Sequence, residues 1–361
     1  MKIVYSPRDI LVQKNSFRID WKGLVLASFV ILILLVSAEL CSYLIIKFYK
    51  NTSTTYIQEP GDLGIGTYKS IADPVLGWRM SRDDNYQSIL KKADGNVLYD
   101  VNYRTDSFGR RQVNVVNENA QKHLIIWGDS LSFGTGLSKE QTLQSGLAKS
   151  FPNYQVYNYS VHGYGPHQIL MQIRQDKLEQ QISQDNGIAV YFFNPDYILR
   201  ALGSSQTSWN FSSPAITVTD DGKLQYHGSI EAMYPIRSLW FKFYAKLKLN
   251  SYLLSLVGLD FPIKFNDSDI KLIAQLIIES AKEYHAKFNG SFIVVFHPLY
   301  NNMKSETAMI RTYLESNNIP TLSYDMPILD EYYIPREGHP SAKFNKIFIP
   351  MLMESLKKEG V

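Results

Sequence analysis

The 361-residue chain has one cysteine, Cys41, which excludes an internal disulfide and a thiolate metal cluster and leaves the redox compartment unreadable. Net charge is scarce as well. Thirty-seven Lys and Arg against 34 Asp and Glu leave +3, so no basic field points to a nucleic-acid partner. The seven histidines show no paired metal-ligand spacing, and the turn SFGTG lacks the Lys-Ser/Thr that completes a phosphate loop. Neither a metal nor a cofactor is expected. Internal repeats and low-complexity runs are missing too. Apolar residues, by contrast, make up 45% of the chain, too many for disorder, and the length suits one large or two ordinary domains at about 100–200 residues each.

The apolar content is uneven. From Gly23 to Phe48 only Glu39 and Lys47 carry charge, and about 20 mainly apolar residues suffice to span a bilayer as a helix. Glu39, two-thirds of the way along, is a cost of a few kcal/mol at the bilayer centre and less near an end. A cleaved signal peptide is the alternative, with Val36-Ser37-Ala38 as the cleavage site. The 22-residue polar leader and the apolar sequence beyond that site favour a retained anchor. Lys2, Arg8, Lys14, Arg18 and Lys22 precede the span and Lys47 and Lys50 follow it, so the positive-inside rule puts the N-terminus in the cytoplasm and the rest of the chain outside an inner (plasma) membrane. Cys41 is expected to be a packing residue of the span rather than a palmitoylation site. The leader carries the chain's whole excess of positive charge, because the residues beyond it are balanced.

Later apolar runs such as IAVYFF and FIVVFH are strand-sized. The organisation expected is a leader (1–22), a transmembrane helix (23–47), a stalk with a small β-rich segment (48–118) and a main domain (119–361) interrupted by an insertion at about 202–265. In the β-rich segment Val97, Tyr99, Val101 and Tyr103 alternate as in a half-buried strand. From His123 onward strands and helices alternate, the pattern of a parallel sheet covered by helices. The strands expected are His123–Trp127, Gln155–Tyr159, Ile188–Phe193, Ser291–Phe296 and Thr321–Tyr324. The helices expected are Lys139–Ser150, Pro166–Ile182, Ser268–Lys287, Lys304–Ser316 and Pro340–Lys358. Within the insertion, ITVTDDGKLQYHG reads as a hairpin turning at Asp221-Gly222, and IRSLWFKFYAKLKLNSYLLSLVGL as one aromatic-rich amphipathic helix.

Chemistry concentrates in LIIWGDSLSFGTG, where Gly128 permits a tight turn after a buried strand and Ser130 follows it, outside the carboxyl end of the strand, where parallel sheets place ligands. Near the other end, REGHPSAKF sets His339 just before the final helix, with Glu337 two residues earlier. Serine is a weak nucleophile until a base takes its proton, and a histidine oriented by an acid is the usual base.

With these residues the chain resembles the SGNH (GDSL-type) hydrolases over roughly Lys122 to Lys358. The first family block matches Gly128-Asp129-Ser130-Leu131, the second Asn158-Tyr159-Ser160-Val161-His162-Gly163, the third is met by Asn194 in VYFFNPD, and the fifth by Glu337 and His339. Two departures stand out. The third block usually reads Gly-x-Asn-Asp, and the acid is usually an aspartate, often three residues before the histidine, where this chain has Arg336. Asp330, Asp325 or a backbone carbonyl remain alternatives to Glu337.

The resemblance implies an α/β fold, a three-layer α/β/α sandwich with a parallel, flavodoxin-like sheet. It also implies acyl transfer in which Ser130 attacks an ester, His339 relays the proton and Glu337 orients the imidazole, with an oxyanion hole of Ser130 N–H, Gly163 N–H and the Asn194 amide. Asp129 is expected to brace the turn. Asp129, His162 and His167 are candidates for lining the pocket, and His297 ends a strand at the same sheet edge. Ser132 is the less favoured nucleophile. Three function classes stay open: a tethered esterase acting on an O-acylated glycan or lipid, an O-acyltransferase with the same triad, and a non-catalytic glycan-binding or assembly protein.

Overall fold

The computed structural model describes residues 21–49, 56–58, 70–92, 95–300, 302–335 and 337–360. Lys2, Arg8, Lys14, Arg18, Lys50, most of the expected stalk and Arg336 lie outside the described residues. The chain divides into two compact units. One contains Met1–Asn51 and Lys248–Gly258, the other Thr52–Leu247 and Leu259–Val361.

The first unit is built on helix α1 (Trp21–Tyr49), long and apolar enough to cross a membrane. A short helix from the far side of the insertion, Tyr252–Val257, packs on it along the face that carries Glu39, Ser42 and Tyr43, where the Tyr43 and Tyr252 rings meet edge to face at 5.0 Å. Glu39 is therefore not the bare cost it looks in the sequence. Its carboxylate accepts the Ser251 hydroxyl at 2.9 Å, together with the Leu253 N–H at 3.1 Å and the Tyr252 N–H, two backbone donors that a helix's first turn otherwise leaves unsatisfied. Cys41 departs from expectation: it is exposed, because it falls off the face that meets this short helix.

In the second unit the elements run β1 (Tyr56–Gln58), β2 (Ser70–Asp73), β3 (Gly77–Met80), β4 (Asn85–Lys92), β5 (Val97–Arg104), β6 (Lys122–Trp127), α2 (Ser130–Phe133), α3 (Leu143–Ser150), β7 (Tyr154–Asn158), α4 (Pro166–Gln175), β8 (Gly187–Phe193), α5 (Asp196–Leu202), β9 (Pro214–Val218), β10 (Leu224–Ser229), α6 (Ile230–Met233) and α7 (Pro235–Leu249, whose last two residues belong to the first unit). The short helix on α1 is α8. After it come α9 (Asp267–Phe288), β11 (Ser291–Phe296), α10 (Lys304–Ser316), β12 (Thr321–Ser323) and α11 (Ala342–Lys358).

The central sheet is parallel with strand order β12-β11-β8-β6-β7. Both faces are covered, which is why its strands read as continuous apolar runs rather than alternating ones. Ile125, Trp127, Tyr191, Phe193, Phe292 and Val294 share one core with α4, α5, α9 and α10. Leu124, Ile126, Val190, Phe192, Ile293 and Val295 share the other with α3 and α11. This is the expected three-layer α/β/α sandwich. Its order reverses between β6 and β8, and that switch point opens the crevice where such sheets bind ligands.

The small strands pair antiparallel as β1-β4-β5 and β2-β3. Tyr99, Val101 and Tyr103 turn inward as expected, while Val97 is exposed. The helix after Asn266 is closed by a capping box in which Asn266 accepts the Asp269 N–H and Asp269 accepts the Asn266 N–H, both at 2.9 Å. Three boundaries differ most from the sequence reading. Lys139–Gln141 is a separate 3-10 turn because Thr142 caps α3. The helix at Pro166 stops at Gln175, since Lys177 takes a left-handed φ of 46°. The long amphipathic helix of the insertion breaks at Ser251, which caps α8 through the Leu254 N–H.

Burial lowers the buried His123 and His297 from 6.5 to about 4 and His167 to about 3. These groups stay neutral in the fold while the unfolded chain protonates near 6.5, so the stability they contribute is complete above pH 6.5 and is lost as pH falls toward 4. Thermal melts should show a falling Tm from pH 6.5 to pH 4, with a shallower slope in His297→Phe. A flat profile would contradict the burial of these rings.

Candidate active site

Ser130 follows β6, the strand flanked on either side by β7 and β8, and its turn is fixed by three devices. A Cβ at Gly128 would sit 2.0 Å from the Ser132 hydroxyl oxygen and 3.2 Å from its Cβ, so any larger residue would have to displace the Ser132 side chain. Asp129 caps α2 by accepting the Leu131 N–H at 2.9 Å. Its other carboxylate oxygen meets Arg200 Nη1 at 2.8 Å, with both side chains nearly closed to solvent. The same Nη1 donates to the Tyr164 carbonyl at 2.8 Å, so one guanidinium joins the serine turn to the loop that carries Gly163. Asp129 thus braces the turn and does not line an open pocket.

Beyond α2, the buried Arg111 donates to the carbonyls of Phe133 (2.8 Å), Gly134 (2.6 Å) and Leu137 (2.6 Å), and the Tyr103 hydroxyl accepts the Gly136 N–H at 2.6 Å. The loop after the serine is thereby held from the N-terminal side of the chain.

Gly163 follows β7 with φ +76°, and a Cβ there would lie 2.8 Å from the Trp209 ring and 3.2 Å from the Trp78 ring. Trp78 Nε1 donates to the His162 carbonyl at 3.0 Å, which locks the loop from outside. Asn194 follows β8, and its side-chain oxygen accepts the Asp196 N–H at 3.1 Å. Among the described residues, the Ser130 N–H, the Gly163 N–H and the Asn194 side-chain amide nitrogen have no acceptor. Three neighbouring strands each deliver one such donor from a carboxyl end at the switch point.

His339 and Glu337 lie on the loop before α11, folded back by the Ile334 N–H donating to the His339 carbonyl at 2.8 Å. His339 Nδ1 is 3.4 Å from Glu337 Oε2, and Glu337 Oε1 accepts the Tyr99 hydroxyl at 2.8 Å. Among the described residues Glu337 is the carboxylate within 4 Å of His339, whereas Asp330 lies exposed in a 3-10 turn. Burial, and then the Glu337 charge, raise the Tyr99 phenol far above its ordinary value, so it remains a donor. Ser130 and His339 make no hydrogen bond to each other, and catalytic contacts are often loose until substrate binds.

The other histidines separate. His162 is buried, 3.3 Å from Thr135 Oγ1, and is driven far below its ordinary value by burial, then by the nearby His339 and Arg111. His167 is a core residue of α4 bonded to Ser213 Oγ at 3.0 Å, which corrects its place on the pocket wall. His297 is buried, stacked on Phe344 at 5.6 Å. Ser132 is buried beneath the turn, away from solvent.

Sequence reasoning missed Tyr99, Arg111 and Arg200. Only Tyr99 carried a signal, its place in the alternation of β5, and that pattern gave burial and not its partner.

No family model matches the chain, and no curated protein matches it. Among solved structures it is similar to the psychrotrophic esterase EstA from a Pseudoalteromonas species (15% identity, 66% of this chain and 97% of that one, TM-score 0.37). It is also similar to the acetyl xylan esterase Est2A from the rumen bacterium Butyrivibrio proteoclasticus (13% identity, 69% and 73%, TM-score 0.39). A third is a lipolytic G-D-S-L family member from Veillonella parvula (11% identity, 64% and 97%, TM-score 0.36).

Removing one partner of a buried ion pair leaves the other charge uncompensated and costs about 3–5 kcal/mol. Arg200→Ala should lose stability of that order in denaturant titrations, and adding Asp129→Ala should restore part of it. Additive losses would show that the pair is not coupled.

Proposed function

We propose that the chain is a membrane-tethered serine esterase of the SGNH type, acting on an O-acyl ester, such as an acetyl ester, of an envelope glycan or lipid.

 The observation that carries the proposal is the grouping of a serine with three acceptor-free N–H donors at the carboxyl ends of three neighbouring strands, backed by Glu337, which accepts the Tyr99 hydroxyl and stands 3.4 Å from His339 Nδ1.

The chemistry follows from those positions. Ser130 Oγ attacks the ester carbonyl while His339 takes its proton, and Glu337 holds the imidazole and stabilises its charge. The developing oxyanion meets the N–H groups of Ser130 and Gly163 and the Asn194 amide. His339 returns the proton to the leaving alcohol, the acyl group stays on Ser130, and water activated by His339 then releases it as the acid. The proposed topology puts α1 across the inner membrane, the N-terminus in the cytoplasm and the catalytic unit outside, within reach of surface glycans or lipids.

A fluorophosphonate probe should label the full-length protein, and Ser130→Ala should abolish both labelling and p-nitrophenyl acetate turnover. Asn194→Ala should lower kcat by about 10²–10³, the usual cost of one oxyanion donor. Glu337→Gln should lower kcat with labelling by the probe slowed in parallel. An unlabelled, inactive wild type would reject the enzyme reading, and full activity in Glu337→Gln would reject the assigned acid. Acyl transfer to added oligosaccharide faster than hydrolysis would replace the esterase by a transferase.

A further inference from the structure

Helix α7 carries a surface that the esterase reading does not use. Its inner face is closed by the buried Ser238 and Tyr244. On the opposite side Ile236, Leu239, Trp240, Phe243 and Leu247 recur at helical spacing, with relative exposures of 84, 73, 53, 54 and 45%. Such a stripe is far from the scattered single exposures of an ordinary surface. Lys242 and Lys246 flank it, and Lys242 pairs with Glu231 at 2.7 Å.

We propose that α7 lies in the membrane interface with this apolar stripe sunk into the same phospholipid bilayer that α1 spans. Two observations choose lipid over a protein partner. The first is continuity: Lys248 and Leu249, the last residues of α7, already belong to the compact unit of the span, and α8, two residues on, is fastened to Glu39 of α1. The second is composition, because a Trp and a Phe among aliphatic residues, with lysines at the flank, match the chemistry of an interfacial helix and of the headgroup layer it occupies. In α8, Leu256 and Val257 are also exposed. The proposal depends on α1 being retained as a span and is independent of any catalytic activity.

Nitroxide labels test it on the full-length chain in phospholipid nanodiscs. In a Cys41→Ser background, single cysteines replace Leu239, Trp240, Lys242, Phe243, Lys246 and Leu247 in turn, with Leu32→Cys reporting the span and Lys223→Cys the aqueous hairpin tip. Collisions with oxygen and with a water-soluble nickel chelate then give depth. The stripe positions should be oxygen-rich and about 5–10 Å deep, with Lys242→Cys and Lys246→Cys shallower and open to nickel. Nickel accessibility at every α7 position, equal to that at the hairpin tip, would overturn the proposal. Exclusion of both reagents from the stripe would overturn it as well, in favour of a protein partner or a second copy.

Discussion

The ion pair between Arg200 and Asp129 is the constraint on which the site depends. A charge removed from water must be matched inside the protein, and Arg200 is matched by the Asp129 carboxylate at 2.8 Å and the Tyr164 carbonyl at 2.8 Å. Those partners lie on two different loops, after β6 and after β7, while Arg200 itself stands on α5 after β8. Tyr197, one turn earlier, accepts the Asp129 N–H at 3.1 Å. One buried cation thus sets the mutual position of all three strand ends that carry the unpaired donors.

Much of this was legible in the sequence. The five core strands and the helices between them follow from apolar runs punctuated by Gly, Asn and Asp, and Ser130, Gly163 and Asn194 fall after β6, β7 and β8, with Glu337 and His339 before α11. What escaped was partnership across long stretches of chain. Arg111 looks like half of a surface Arg-Arg pair, yet it binds carbonyls 22 to 26 residues away. Tyr99 reaches a carboxylate 238 residues away. Periodicity reports which face is buried and says nothing of which polar atom waits there. The break between α7 and α8 was hidden for a related reason, since apolar spacing continues through it and only the Ser251 cap interrupts the backbone.

The small β-rich segment, expected as an accessory to the main domain, contributes to the site. Its Tyr99 holds Glu337 and its Tyr103 holds the Gly136 N–H. It belongs to the same compact unit as the sheet, so the boundary at residue 118 separates two stretches of sequence and not two structures.

The contact between Glu39 and α8 also has a history in time. The carboxylate and the Tyr252 N–H it accepts are 213 residues apart. At about 5–20 residues per second of synthesis the wait is roughly 10–40 s. During that interval Glu39 of α1 lacks the donors that Ser251 and α8 supply. The surroundings of Glu39 are thus completed only when the far end of the insertion has been made.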